Sequence, residues 1–293
     1  FKMRNFLNAK VVGGISALVV LGLILFFAMR KDDPEVVPVA NTPEITYPIK
    51  SVIGKSVEGR EIEAFKYGNG KTHLVFVGGV HGGYEWNSIL LSYEIKDYLD
   101  ANPGLVPENI TLTIIPSANP DGMYKIVKKE GRFLATDIPA GTNSIGRFNA
   151  NAVDLNRNFD CKWQPKSTWQ NKTVSAGAKV FSEPESLGIR DFVMSNNPVA
   201  VVFWHSQSGA VYASQCEDGI LPETLSIMNV FAKASGYKAV PKFDAYQTTG
   251  DAESWLAKIG IPSITVELKN HQDTDFKENL AGLQALLKYY ANK

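Results

Sequence analysis

His81 and Glu85 stand in one short glycine-bearing stretch, Val80-His81-Gly82-Gly83-Tyr84-Glu85-Trp86-Asn87, which closes a strand-like apolar run and opens a helix-like one. In a turn, an imidazole and a carboxylate escape the fixed spacing of a helix or strand and can reach a single cation, and both are donors that zinc accepts. A glycine-rich turn whose histidine caps a backbone group has the same letters, and further ligands downstream separate the two readings. His205 follows directly on the apolar run VAVVFW, at a strand's C-terminal end, where open α/β sheets gather their ligands. Two imidazoles and one carboxylate leave a coordination position open, as catalytic zinc sites do. Glu267, in Ile264-Thr265-Val266-Glu267-Leu268, ends another buried run. A carboxylate there is costly without a partner or a task, so Glu267 is the candidate general base for hydrolysis at a metal. Neutralisation by a nearby Lys or Arg is the other account of it.

The elements that must position these residues follow from hydrophobic patterning. Residues 73–78 (HLVFVG), 112–116 (LTIIP), 199–204 (VAVVFW) and 264–266 are short continuous apolar runs, the pattern of strands buried on both faces. Helix-like segments lie at 87–100, 183–195, 222–235, 252–259 and 276–292. The alternation predicts an α/β fold, a single domain with a mixed, mostly parallel twisted sheet flanked by helices. Residues 54–60 read as a turn between two strand-like pieces, and 131–149, rich in Gly, Asn and Thr, as a long loop beside the site. Ser182-Glu183-Pro184-Glu185 has the form of a capping box, which gives Glu185 a structural task.

With 44% hydrophobic and 20% charged residues, the 293-residue chain is ordinary globular material, and a net charge of zero offers nothing to nucleic acid. Two cysteines, Cys161 and Cys216, are too few for a disulfide scaffold or a cysteine-rich zinc module. They are either two buried thiols or, outside the cytoplasm, one bridge. Residues 11–29 are uncharged and almost wholly apolar, about 28 Å of helix and close to a bilayer's hydrocarbon thickness. Lys2, Arg4 and Lys10 precede them, so the positive-inside tendency predicts a cytoplasmic tail at 1–10 and a signal anchor at 11–29. No small-x-small cleavage site precedes Arg30, which argues against a removed signal peptide. Residues 30–46, with Pro34, Pro38 and Pro43, read as an extended linker to a catalytic domain at 47–293. The expected location is the cell membrane, with one membrane pass and the domain extracytoplasmic.

Further motifs complete the pattern. Asn119-Pro120-Asp121-Gly122, Gly146-Arg147-Phe148-Asn149, Val153-Asp154-Leu155-Asn156-Arg157-Asn158-Phe159, Tyr246-Gln247-Thr248-Thr249-Gly250 and Thr265-Val266-Glu267-Leu268 occur in this order. Together they resemble the zinc metallocarboxypeptidases of the carboxypeptidase A type, over roughly residue 47 to the C-terminus. The resemblance implies one zinc ion per chain on His81, Glu85 and His205, with Glu267 as base and proton shuttle. It implies that Asn156 and Arg157 hold the substrate's terminal carboxylate, that Arg147 stabilises the oxyanion, and that Tyr246 closes over the bound terminus. Asp154 would orient a ligand histidine from behind. The family's usual first motif is His-x-x-Glu, whereas Glu85 lies one residue further from His81.

Counted back from Trp255, the position at the base of the side-chain pocket in digestive relatives falls on Glu253. A carboxylate there favours Lys, Arg or the free amine of diaminopimelate; a solvated charge on a helix face beside Asp251 is the other reading. The absence of a folded pro-segment resembles bacterial murein peptide amidases. The expectation is therefore a zinc carboxypeptidase acting on peptides, with a cell-wall peptide hydrolase of the same mechanism as the nearest alternative. A zinc- or peptide-binding module without turnover and a deacylase of N-acyl amino acids stand behind them.

Overall fold

In the computed structural model, which describes residues 47–141 and 144–293, the apolar runs become strands and the periodic segments become helices. In chain order these are β1 (Ile49–Lys55), β2 (Glu61–Tyr67), β3 (Thr72–Val77), α1 (Trp86–Ala101), β4 (Ile110–Ile115) and α2 (Pro120–Val127). A hairpin of β5 (Lys166–Trp169) and β6 (Lys172–Ser175) precedes α3 (Pro184–Asn196), β7 (Ala200–Ser206), β8 (Ala210–Ala213) and α4 (Pro222–Ser235). The chain ends with β9 (Lys238–Val240), α5 (Ala252–Lys258), β10 (Ser263–Leu268) and α6 (Phe276–Ala291).

Eight strands form one sheet in the order β1-β2-β4-β3-β7-β10-β8-β9. The central β4, β3, β7 and β10 run parallel, as do β8 and β9, whereas β1–β2, β2–β4 and β10–β8 are antiparallel. The described residues fall within one compact unit. The α/β domain with a mixed, mostly parallel sheet is therefore as expected. The expected cytoplasmic tail at 1–10, anchor at 11–29 and linker at 30–46 lie outside the described residues, among which no helix is long and apolar enough to cross a membrane.

Period-two alternation sends the central strands into two cores. Leu74, Phe76, Val202, Trp204, Ile264 and Val266 pack on one face against α1, α4 and α6. Val75, Val77, Val201 and Phe203 pack on the other, against Ile189 and Val193 of α3 and Trp255 and Leu256 of α5. A one-residue slip would exchange the faces, so the double burial fixes the register. In that register Glu267 of β10 sits directly beside His205 of β7. His205 lies two residues after Phe203, so both point to the face that α3 and α5 cover.

One local expectation needs correction, and one helix comes without an expectation. Glu183 is the N-cap of α3, without a side-chain cap bond, so the capping box does not form. Pro184 at the first helical position has no amide hydrogen to cap, and the Glu183 amide donates instead to Asn158 Oδ1 at 3.1 Å. Glu185 accepts from the Val57 amide and from Asn149 Nδ2, each at 3.2 Å. Helix α2 was not anticipated either; it begins with Pro120 and is capped by Asn119, whose Oδ1 accepts from the Gly122 amide at 2.8 Å.

Candidate active site

After β3 the chain passes through His81 into a single 3-10 turn, Gly82–Glu85, that leads into α1. Gly82 has φ +45°, and a Cβ there would meet the Gly146 carbonyl at 2.6 Å. Only glycine lets this turn press against the loop that carries Arg147. The tight turn absorbs the extra residue between His81 and Glu85. His81 Nδ1 lies 2.7 Å from Glu85 Oε1. His205 Nδ1 lies 2.9 Å from Glu85 Oε2 and 3.1 Å from His81 Nδ1. The three side chains are buried, and their donor atoms all lie within 4.8 Å of one another.

Two imidazole nitrogens facing one another across a carboxylate make a pocket that can take a proton or a cation. The electrostatics agree. Burial acts to raise the Glu85 carboxyl, but His81 and His205 outweigh it and hold it far below the usual range. Burial acts to lower His205, yet Glu85 and Glu253 hold it well above the ordinary histidine value. The same fields that favour a proton favour a cation, and two imidazoles with a carboxylate are a donor set suited to zinc. These residues fit the metal.

Behind the ligands, Asp154 Oδ2 accepts from Arg147 Nε at 2.9 Å and lies 2.8 Å from Arg147 Nη2. Burial works to raise the Asp154 carboxyl, but Arg147 and Arg157 keep it well below the carboxylate range. Asp154 Oδ1 is 3.5 Å from His81 Nε2, long for a hydrogen bond. Asp154 therefore anchors Arg147 more firmly than it orients the ligand histidine. The Arg147 guanidinium also lies over the Trp169 ring, 4.4 Å from its centroid. Trp169, on β5, has no motif to announce it; only the hairpin brings it here.

The 3-10 turn Leu155–Arg157 is capped by Asp154, which accepts from the Asn156 amide at 3.2 Å. Arg157 donates from Nε and Nη2 to the Thr168 carbonyl at 3.2 and 3.1 Å, and from Nη1 to the Asn156 carbonyl. A guanidinium has five N–H groups, so two remain for a ligand. Asn156 Oδ1 accepts from the Ala252 amide at 2.9 Å, which ties this turn to the start of α5. Tyr246, half-buried in the segment between β9 and α5, meets Phe243 edge-on at 5.0 Å.

Glu267 makes no ion pair among the described residues, and its Oε2 is buried without a hydrogen-bond partner. Burial, and then Glu85, push its carboxyl up to about 8. The alternative of a carboxylate neutralised by Lys or Arg is thus not what the fold builds. His81, Arg147, Asn156, Arg157, His205, Tyr246, Glu253 and Glu267 line one cavity of about 300 Å³. Asp154 and Glu85 stand behind its wall. Glu253 is buried rather than solvated, with Oε1 3.0 Å from His205 Nε2. Asp251, which sequence reasoning noted only as a neighbour, lines the cavity too. Cys161 and Cys216 also line it and form a disulfide with a Cα–Cα distance of 6.2 Å.

Residues 40–284 match the family model described as zinc carboxypeptidase, peptidase M14. The chain belongs to the zinc carboxypeptidase family. Among its relatives, gamma-D-glutamyl-L-diamino acid endopeptidase 1 of Lysinibacillus sphaericus is 25% identical over 239 residues, which cover 74% of this chain and 59% of that protein. The chain thus spans about three-fifths of that relative's length. Murein-tripeptide amidase from Escherichia coli O157 superposes with a TM-score of 0.57 at 22% identity, covering 83% of this chain and 93% of that one. Carboxypeptidase A of Helicoverpa armigera gives 0.62 at 21% identity, covering 84% and 67%. At these identities the two structures establish the fold of this zinc carboxypeptidase family member.

Proposed function

We propose that this zinc carboxypeptidase family member hydrolyses the C-terminal peptide bond of peptides outside the cytoplasm. The observation that carries the reading is the single cavity in which an unpaired carboxylate, a cation-holding trio and a partly free arginine fork meet. His81, Glu85 and His205 would hold the zinc, which would supply Lewis acidity toward the scissile carbonyl and toward water. The two uncommitted N–H groups of Arg157, with the Asn156 side chain, receive the substrate's terminal carboxylate. Arg147, held by Asp154 and Trp169, presents fixed positive charge where the carbonyl oxygen becomes an oxyanion. Glu267 takes the proton from the attacking water and delivers it to the departing amine nitrogen. Burial and Glu85, which push the Glu267 carboxyl up to about 8, make it a stronger proton acceptor than an ordinary carboxylate. Tyr246 closes over the bound terminus.

The location rests on residues 11–29 acting as a membrane anchor, and the Cys161–Cys216 bridge supports an oxidising compartment. For the C-terminal side chain, the acidic groups in the cavity favour Lys or Arg. A second reading is a cell-wall peptide ending in diaminopimelate, whose side chain carries an amine and a carboxylate. Asp251 together with exposed Lys162 and Lys242 at the same cavity favours that pair of charges, and the Lysinibacillus relative is named as acting on diamino acid linkages.

The test is a panel of peptides with C-terminal Lys, Arg, Leu and diaminopimelate, free and amidated, with and without chelator. Hydrolysis of free termini alone, abolished by chelator and restored by zinc, is the expected result. Cleavage of amidated peptides at equal rates removes carboxylate docking, and no cleavage of any member leaves only a binding module.

A further inference from the structure

We infer that Glu253 is a positioning residue for His205, and that selection of a cationic C-terminal side chain falls to Asp251. The inference rests on the metal site assigned above and deepens it. An imidazole that turns one nitrogen toward a cation must carry its proton on the other. His205 directs Nδ1 at Glu85 and His81, so Nε2 is the protonated nitrogen and needs an acceptor. His205 is 2% exposed, so water does not provide it. Glu253 Oε1 does, at 3.0 Å, from a side chain in the first turn of α5 that is itself 4% exposed.

Among the described residues no other carboxylate takes this part as well. Asp154 stands 3.5 Å from His81 Nε2 and is tied to Arg147, whereas Glu253 makes a direct, charge-assisted bond to its histidine. Carboxylate–histidine pairs of this kind fix the ring, fix the tautomer and raise the basicity of the ligating nitrogen. Helix α5 is well placed for the task, because the Ala252 amide is pinned to Asn156 Oδ1 at 2.9 Å and Trp255 and Leu256 are buried in the core beneath. The oxygen that contacts His205 is then not free to meet a substrate cation. Asp251, two residues earlier, lines the same cavity and accepts from the Ser254 amide at 2.8 Å without touching His205.

The experiment compares the full chain with Glu253→Ala, Glu253→Gln and Asp251→Asn in three measurements. These are zinc affinity by chelator competition, the visible spectrum of the cobalt(II)-substituted protein, and kcat and KM on peptides ending in Lys and in Leu. Glu253→Ala is expected to weaken zinc binding roughly 10- to 100-fold, to shift the cobalt spectrum, and to lower kcat on both peptides alike with the Lys-to-Leu ratio kept. Glu253→Gln, whose amide oxygen still accepts from Nε2, should fall between wild type and Glu253→Ala. Asp251→Asn should leave zinc affinity and spectrum in place while the Lys-to-Leu ratio falls.

Zinc affinity within twofold of wild type in Glu253→Ala, with the Lys preference lost, would overturn the inference. Should Glu253→Ala not fold, Glu253→Gln decides by the same two readouts, checked by the melting temperature of its zinc-free form. If the wild-type chain cleaves no peptide, the zinc and cobalt measurements still uphold or overturn the role of Glu253. A failed peptidase reading is thereby kept apart from a failed positioning role.

Discussion

Arg147→Met removes the cation from a fully buried pair and leaves Asp154 to face the interior. Asp154 is 0% exposed and Arg147 2%, and two nitrogens of the guanidinium lie 2.8 and 2.9 Å from the same carboxylate oxygen. Breaking a buried pair from one side costs about 3–5 kcal/mol, because the remaining charge is uncompensated. Arg157 also acts on Asp154, which places the expected loss near the lower end, about 3 kcal/mol. Methionine retains apolar contact with Trp169, so the change reads mainly as charge. Urea unfolding followed by tryptophan fluorescence, in chelator so that zinc linkage adds nothing, measures it. In the double variant Arg147→Met/Asp154→Asn most of the stability should return. The turnover should not, because an oxyanion donor is absent in both, and a loss of about 100- to 1000-fold in kcat is expected. A single variant that loses under about 1 kcal/mol, or a double variant that regains activity, would refute the assignment of Arg147 as a buried, tethered oxyanion donor.

Arg157→Ala should raise KM for peptides with a free terminus about 10- to 100-fold, the worth of hydrogen bonds to a charged group; steady-state peptide kinetics check this, and an unchanged KM would contradict carboxylate docking. Removing the Cys161–Cys216 bridge by a Cys161→Ala/Cys216→Ala double variant opens a loop of 55 residues. The chain-entropy estimate is about 4 kcal/mol, and a fall in urea midpoint measures it. His73, buried against Thr113 with its Nε2 2.9 Å from Thr113 Oγ1, is pushed down from 6.5 to about 4, first by burial and then by Lys66. The unfolded chain therefore binds more protons between these values, so stability falls as pH drops from 6.5 toward 4, by up to about 3 kcal/mol. In His73→Gln, stability against pH over that window should be flatter than wild type.

The parts of the site that the sequence disclosed are those carried by short local patterns. His205 and Glu267 were legible because each terminates an apolar run that only a doubly buried strand explains, and strand ends are where a sheet opens. The turn at His81 was legible as chemistry but not as geometry. Its extra residue is absorbed by a 3-10 turn that forms because Gly82 and the backbone at Gly146 approach closely, a contact between segments far apart in the chain. The failed capping box has the same origin: Asn158, 25 residues away, takes the Glu183 amide at the start of α3. Trp169 was invisible because a four-residue strand has no periodicity to read. Glu253 was read by its position relative to Trp255, which places it at the cavity; its bond to His205 depends on how α5 docks against β7.

The central claim is that Glu267 is the base beside a zinc ion held by His81, Glu85 and His205. Zinc content and peptide turnover of Glu267→Gln, measured on the same preparation, test it most directly. The account predicts one zinc per chain, as in wild type, with turnover nearly abolished and KM little changed. Turnover near the wild-type rate would contradict the role of Glu267, and wild-type protein that binds no zinc would contradict the site itself.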